Sequence, residues 1–377
     1  MRIGILTLPL HTNYGGILQA YALQTVLERM GHEVVVFDTP NKASLPPLWK
    51  LPLCFGKRFL YKILGKGGKV FLEHYQDKVH YAITQNIQYF IDKYIHRKII
   101  KCFRQLSQKD YDAIVVGSDQ VWRSIYFYPM WLGQGIENGY LSFAKDWNIK
   151  RISYAASFGT SNWEYTEKQT QLCKQLLKKF DAVSVREANG VELCNKYFDV
   201  EALQVLDPTM LLTEKEYCKL FQIAQTPKSK GTLLNYVLDR NENIDMLIAK
   251  IALEKGLIPY AVNNPFEYDE TKPVAERIKP SIETWLRGFY DAEFVVTDSF
   301  HACVFSILFK KQFIVVGNQK RGLARLESLL RMFQLEDRLV KSKENILKLS
   351  PIDYTIVYDI YEQQRQRSVD FLFELLN

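Results

Sequence analysis

The chain has 377 residues, 47% of them hydrophobic, which is enough for about two packed domains. No apolar run nears the roughly 20 residues that a bilayer-spanning helix needs, and Met1-Arg2 leads into a strand and not a signal peptide, so the cytoplasm is the expected compartment. The net charge of +7 is uneven: between Lys42 and Arg104 thirteen basic residues face three acidic ones, so that segment alone exceeds the charge of the whole chain.

The opening stretch Ile3 to Asp38 reads as a βαβ unit: an apolar run, a loop Pro9 to Gly16, a helical segment, then Gly31-His32-Glu33-Val34-Val35-Val36-Phe37-Asp38. Its first strand delivers a glycine-containing loop to a helix N-terminus, where free N–H groups favour an anionic or hydroxyl-rich ligand. In Asn13-Tyr14-Gly15-Gly16 the glycines permit close backbone approach, and Asn13 and Tyr14 offer directional hydrogen bonds. The alternative is a plain structural turn. No G-x-G-x-x-G or P-loop pattern occurs, so dinucleotide and P-loop chemistry lose support.

The basic segment 42–104 follows, interleaved with aromatics such as Trp49, Phe55, Phe59 and Tyr61. It reads first as a solvated helical insertion. Its second reading is a peripheral contact with an anionic membrane surface or lipid-linked acceptor, at the inner face of the membrane. Nucleic acid is not expected, because no recognition motif accompanies the charge. Gly65-Lys66-Gly67-Gly68-Lys69 lacks a flanking strand and reads as a loop.

The α/β rhythm then resumes. Ala113 to Val116 is a buried strand ending in Gly117-Ser118-Asp119-Gln120-Val121-Trp122-Arg123. Strand-then-loop patterns recur at Arg151 to Gly159, Asp181 to Glu187 and Val205 to Thr209. A second block has strands at Gly231 to Leu238, Phe294 to Asp298 and Phe313 to Val316, and a helix from Ile244 to Gly256. The last element is one long helix from Asp353 to Leu376, with Asp353 as its cap. The expected division is an N-terminal unit 1–204 carrying an insertion at about 42–108, a C-terminal unit 205–350, and a terminal helix 351–377 packing back on the first unit. Polar residues gather at the C-terminal ends of the strands, the edge where open α/β sheets bind ligands.

Asp298-Ser299-Phe300-His301 puts a histidine in the first turn of a helix, Ala302 to Phe309, with Asp298 or Ser299 able to cap it. Such a histidine beside a bound anion suits proton donation. Cys303 sits elsewhere on that helix, so a Cys–His nucleophile pair is not expected. The six cysteines form no C-x-x-C pair and read as reduced thiols, not a disulfide frame or zinc site. Arg186 leaves a strand just before a helix, and Lys320, Arg321 and Arg325 supply further cations near a helix start. A guanidinium binds carboxylate or phosphate through paired hydrogen bonds, although for each arginine alone a surface salt bridge is the simpler account.

Taken in order, Asn13-Tyr14-Gly15-Gly16-Ile17-Leu18-Gln19-Ala20-Tyr21-Ala22-Leu23-Gln24, Gly117 to Trp122, Ser184-Val185-Arg186-Glu187, Leu206-Asp207-Pro208-Thr209, Thr297 to His301 and Arg325-Leu326-Glu327-Ser328-Leu329-Leu330 resemble the polysaccharide pyruvyl transferase family. The resemblance runs from the first strand to about residue 340 and leaves out the basic insertion and the terminal helix.

It implies an α/β, GT-B-like fold: two Rossmann-like domains with parallel sheets facing a central cleft. It also implies transfer of pyruvyl from phosphoenolpyruvate to two hydroxyls of a sugar in a glycan or lipid-linked glycan, giving a cyclic ketal and phosphate, with no metal and no organic cofactor. His301 is then the expected acid, with Asp119 or Glu187 accepting a hydroxyl proton. Arg186, Arg325, Ser299, Lys320 and Arg321 would bind the donor. Asn13, Tyr14, Gly15, Gly16, Ser118, Gln120, Trp122 and Glu187 would line the acceptor side of the cleft. One departure stands out: many members resemble Arg-x-His where this chain has Ser299-Phe300-His301, so Lys320, Arg321 or Arg325 is expected to supply the missing cation. The competing expectations are a nucleotide-sugar glycosyltransferase, and a non-catalytic glycan-binding protein on the same fold.

Overall fold

The computed structural model describes residues 1–40, 48–65, 69–317, 322–340 and 349–377. Seven strands, β1 (Arg2–Leu6), β2 (Glu33–Asp38), β3 (Arg97–Ile99), β4 (Ala113–Val116), β5 (Lys150–Ala156), β6 (Ala182–Val185) and β7 (Leu203–Gln204), form one sheet in the order β3-β2-β1-β4-β5-β6-β7. All its pairings are parallel. A second parallel sheet has the order β12-β11-β10-β8-β9, from β8 (Leu233–Tyr236), β9 (Pro259–Tyr260), β10 (Phe294–Thr297), β11 (Gln312–Val316) and β12 (Leu339–Val340). Strands such as Ala113–Val116 are buried at every position, as a sheet covered on both faces requires.

The helices α1 (Tyr14–Arg29), α2 (Leu51–Ile63), α3 (Leu72–Tyr94), α4 (Ser124–Met130), α5 (Glu167–Leu177) and α6 (Ala188–Leu193) intervene in the first sheet's stretch of chain. Then come α7 (Glu214–Ile223), α8 (Glu242–Lys255), α9 (Ile282–Asp291), α10 (Phe300–Leu308), α11 (Leu323–Met332) and α12 (Tyr354–Leu376). Two doubly wound parallel sheets facing a cleft are the GT-B-like α/β fold.

Each sheet reverses its winding at one place. In the first, strands on either side of the β1/β4 pair are added in opposite directions; in the second the reversal lies between β8 and β10. Ligands of open α/β sheets bind in the crevice at such reversals, outside the strands' carboxyl ends. From β1 the chain runs to Asn13 and the start of α1, and from β4 to Ser118 and Asp119. From β8 it runs to Arg240, and from β10 to Ser299 and His301.

One apolar core runs through both sheets, including Ile3, Tyr14, Met210, Phe300, Val315 and Leu376. Helix α12 ties the two together. Near its start Tyr358 donates to the Leu308 carbonyl (2.7 Å) at the end of α10. Further along, Tyr361 donates to the carbonyls of Met210 and Leu212, and Ser368 Oγ accepts from the Leu206 amide at 3.0 Å. Near its end the Leu375 carbonyl accepts from Lys150 Nζ, on β5 of the first sheet, at 2.6 Å. Asp353 caps the helix by accepting from the Thr355 amide, as its position predicts.

Candidate active site

A cleft of about 590 Å³ opens between the sheets. Asn13, Tyr14 and Gly15 line it from the first sheet's side, and Arg240, Lys279, Trp285, Ser299 and His301 from the second's. Tyr14 pins the two sides together: its ring stacks on Trp285 at 5.8 Å and its hydroxyl donates to the Pro280 carbonyl at 2.8 Å.

His301 lies in the first turn of α10, buried, and the backbone of Gly15 lies against its imidazole; a Cβ at Gly15 would overlap the ring. The first turns of α1 and α10 therefore converge on one point. Neither helix has a side-chain cap on its N-terminal amides. Asp298 does not cap α10; it accepts instead from the amides of Leu238 (2.8 Å) and Asp239 (3.0 Å), locking the loop after β8 to the turn after β10. Free helix N-termini and the helix dipole favour an anion at this point.

Behind His301 lies a buried ionic network centred on Asp207. The imidazole Nε2 is 3.6 Å from Asp207 Oδ2. The same oxygen accepts from Ser118 Oγ (3.0 Å) and Arg186 Nη1 (2.8 Å), while Oδ1 accepts from the Thr209 amide (3.0 Å) and Thr209 Oγ1 (2.7 Å). Burial opposes ionisation of Asp207, but His301 and Arg186 outweigh it and hold the carboxyl far below the ordinary range. Burial likewise works against the Arg186 charge, and Asp207, Glu187 and Asp119 more than offset it, raising its pKa.

Arg186 lies 4.2 Å from the Phe300 ring centroid and Arg325 5.7 Å from the same ring. Both guanidiniums are buried, and neither lines the cleft. Burial, together with repulsion from Arg186, lowers Arg325 to about 10. Arg186 Nε and Nη2 and Arg325 Nε make no hydrogen bond among the described residues, and the Phe300 ring lies beside both guanidiniums. Lys320 and Arg321 lie outside the described residues, as do Lys66 to Gly68 of the glycine-rich run.

The acceptor-side residues divide. Asn13, Tyr14 and Gly15 line the cleft, and Gly16 sits beside the carboxylate of Asp119. Asp119 takes a left-handed conformation (φ 63°), and its Oδ1 is 3.7 Å from Arg186 Nη2. Trp122 does not face the cleft: it is fully buried, stacks on Tyr140 at 4.9 Å and donates from Nε1 to the Gly139 carbonyl. Glu187 is also turned inward, accepting from Ser157 Oγ at 2.6 Å and from the Gly159 amide at 3.1 Å. Both of these bonds go to Oε1, while Oε2 lies 3.7 Å from Arg186 Nε. Ser118 is a buried partner of Asp207, and Gln120 Oε1 accepts from Arg123 Nη1 at 3.2 Å; neither lines the cleft.

Two functional positions were not singled out in the sequence. Asp207 was visible only as part of an Asp-Pro-Thr turn, and its own side chain caps that turn. Arg240 follows β8 in a polar loop and shares the cleft wall with Ser299 and His301. Its Nη1 donates to Asn235 Oδ1 at 3.1 Å and its Nε to Asp245. The signal for both was the one that located His301: a polar side chain just beyond the carboxyl end of an apolar strand. Among the described residues no cluster of His, Cys, Asp and Glu is arranged to hold a metal ion, and all six cysteines are free thiols.

Among solved structures, the chain is similar to the UDP-GlcNAc 2-epimerase from Neisseria meningitidis, bound to UDP-GlcNAc (10% identity, 100% of this chain and 99% of that one, TM-score 0.49). It is similar as well to Acinetobacter baumannii MurG (10% identity, 100% and 99% covered, TM-score 0.44) and to the spinosyn rhamnosyltransferase SpnG in complex with thymidine diphosphate (9% identity, 100% of each chain, TM-score 0.47). No curated protein sequence matches it. The family model for polysaccharide pyruvyl transferase matches residues 13–320, a span that holds α1, β4, the Asp207 network, the Arg240 loop and the His301 turn. This chain belongs to the polysaccharide pyruvyl transferase family.

Proposed function

We propose that this protein transfers the pyruvyl group of phosphoenolpyruvate to two hydroxyls of one sugar, in a glycan or lipid-linked glycan on the cytoplasmic side, forming a cyclic ketal and releasing phosphate. The observation that carries this reading is His301, set at the meeting of two helix N-termini in the cleft with its Nε2 3.6 Å from the buried Asp207 carboxylate.

The reaction needs an anion site, an acid and room for a diol. Phosphoenolpyruvate carries nearly three negative charges, which suits the amides opening α1 and α10 together with Arg240. A proton delivered from His301 to the methylene carbon turns it into a methyl group and leaves the adjacent carbon electron-poor. One sugar hydroxyl adds there, the bond from that carbon to the phosphate oxygen breaks, and the second hydroxyl adds to close the ketal. Of the two hydroxyl protons released, one replaces the proton given to carbon and the other leaves with phosphate. We assign acceptance of the first of them to Asp119, whose carboxylate lies beside Gly16. Arg186 and Asp207 are positioning residues: Arg186 keeps Asp207 ionised, and Asp207 faces the imidazole. In this reading Arg240 stands in for the arginine missing at Ser299.

The test is calorimetric titration of phosphoenolpyruvate into wild type, Arg240→Ala and His301→Ala, followed by phosphate release with a panel of glycan acceptors. Wild type should bind saturably, and Arg240→Ala about 10- to 100-fold more weakly, the loss expected for a charge-assisted contact. His301→Ala should retain binding and lose phosphate release by about 10²- to 10⁴-fold. A flat wild-type titration overturns the donor assignment and turns the search to nucleotide sugars.

A further inference from the structure

Helix α2 (Leu51–Ile63) is mounted the wrong way round for a helix that belongs to a protein core. None of its residues is fully buried. At 3.6 residues per turn, Leu53, Phe59, Leu60 and Ile63 fall on one side, and they are 71%, 55%, 59% and 65% exposed. Leu64, just past the end, and Trp49, just before the start, are exposed too. The side turned toward the protein is only half-buried and carries Leu51, Cys54, Phe55 and Arg58. Arg58 Nη1 and Nη2 donate to Glu73 Oε2 and Oε1 at 2.7 and 2.8 Å, and the Glu73 carboxylate is buried at the start of α3. Phe55, next to Arg58 on the wheel, packs its ring on Phe71 at 5.3 Å.

The charge pattern suits this outward apolar face. From Thr39 to Leu72 the sequence has seven lysines and arginines and no aspartate or glutamate. Lys57 on one edge and Lys62 on the other flank the apolar face, with Lys50 just before the helix. An outward apolar face with a basic rim is the pattern of a helix that lies in the boundary between headgroups and acyl chains of an anionic bilayer. A second copy of the chain is a poorer partner, because a two-fold contact through this face would set its cations against their own copies with no acid between them. No described helix is long and apolar enough to cross a membrane, so the contact is peripheral.

We propose that α2 is a membrane-docking helix that seats the protein on an anionic lipid surface, its apolar side chains inserted to headgroup depth. The surface leads toward the active site. The next helix, α3, presents Leu72, Tyr75, Val79 and Ile83 to a groove of about 350 Å³ that shares Thr12, Glu267 and Tyr268 with the catalytic cleft. A lipid-linked sugar entering from the bilayer would pass along this groove; that route rests on the acceptor proposed above, while the docking itself does not.

The experiment is co-sedimentation of the full chain with phosphatidylcholine vesicles and with mixed phosphatidylcholine–phosphatidylglycerol vesicles, beside size-exclusion chromatography with light scattering. The variants are Leu60→Glu/Ile63→Glu and Lys57→Glu/Lys62→Glu, whose substituted side chains lie in solvent and leave folding intact, as a matching melting temperature will show. Wild type should bind the anionic vesicles, bind neutral ones about 10-fold or more weakly, and detach as salt rises. Each double variant should lose binding about 10-fold or more. Absence of wild-type binding, or binding that survives Leu60→Glu/Ile63→Glu, overturns the proposal. So does a wild-type dimer that this variant turns into a monomer while neither form binds vesicles. No acceptor or donor enters these measurements, so their failure is separate from a failure of the proposed reaction.

Discussion

At the scale of single residues, Asp207 is the pivot. One buried carboxylate accepts from Ser118, Arg186 and Thr209 and lies 3.6 Å from His301. Replacing it by asparagine leaves the Arg186 charge buried without its closest counter-ion, which costs about 3–5 kcal/mol. The pH dependence follows from the downward shift of the carboxyl. A carboxylate whose folded pKa lies below its unfolded value of about 3.9 stabilises the fold fully above that pH, and the contribution is lost as pH falls through the folded value. Denaturant unfolding of wild type and Asp207→Asn should therefore differ most near neutrality, with the gap closing below about pH 4. A gap that stays constant down to strongly acidic pH would remove the ionised Asp207 from the account. None of this was legible in Leu206-Asp207-Pro208-Thr209, because Ser118, Arg186 and His301 come from elements far apart in the chain. His301 was legible because its signal is local, a polar residue on a strand-to-helix turn. The burial of the arginines was not legible for the opposite reason: sequence shows that Arg186 leaves a strand, but not that Phe300 lies beside it.

At the scale of elements, the junction of α1 with α10 decides the site. Gly15 matters here through space and not through its backbone angles. A methyl group there would collide with the imidazole, so Gly15→Ala must push His301 or the first turn of α1 aside. Overpacking of this kind costs about 1–3 kcal/mol, and in the proposed reaction displacing the acid costs about 100-fold in rate. Phosphate release should fall by at least that factor while the melting temperature drops only a few degrees; an alanine variant with wild-type turnover would show that the contact is incidental. Most strands and the α1, α10 and α12 helices were readable from apolar runs and, for α12, from its cap, since each is fixed by its own residues; the two- and three-residue strands β3, β9 and β12 were not, being too short to leave a pattern. The outward apolar face of α2 was not, since periodicity does not report which side of a helix finds a partner; the Arg58–Glu73 pair and the Phe55–Phe71 contact set that, from outside the helix.

At the scale of the whole molecule, the parallel sheets followed from apolar strands alternating with helices, and the reversals in strand order located the cleft. That one core is shared by both sheets was not legible, because it gathers residues as distant in the chain as Ile3 and Leu376. Large apolar contacts between units suppress their relative motion, and Tyr14 stacked on Trp285 adds a clasp on the cleft side. Small-angle scattering of the protein should therefore give the same radius of gyration with and without saturating phosphoenolpyruvate. A contraction on binding would show that the sheets move as separate bodies.

The terminal helix carries a consequence for how the molecule comes to be made. Its hydrogen bonds to Leu206, Met210 and Leu212, Leu308 and Lys150 join segments spread along most of the chain. They come from a helix made after every segment it holds. The two sheets can each begin to form during synthesis, but their final seating against one another waits until α12 has been made. A nascent chain stalled before α12 would leave the shared core without its latch, open to chaperones and proteases in a way the folded protein is not.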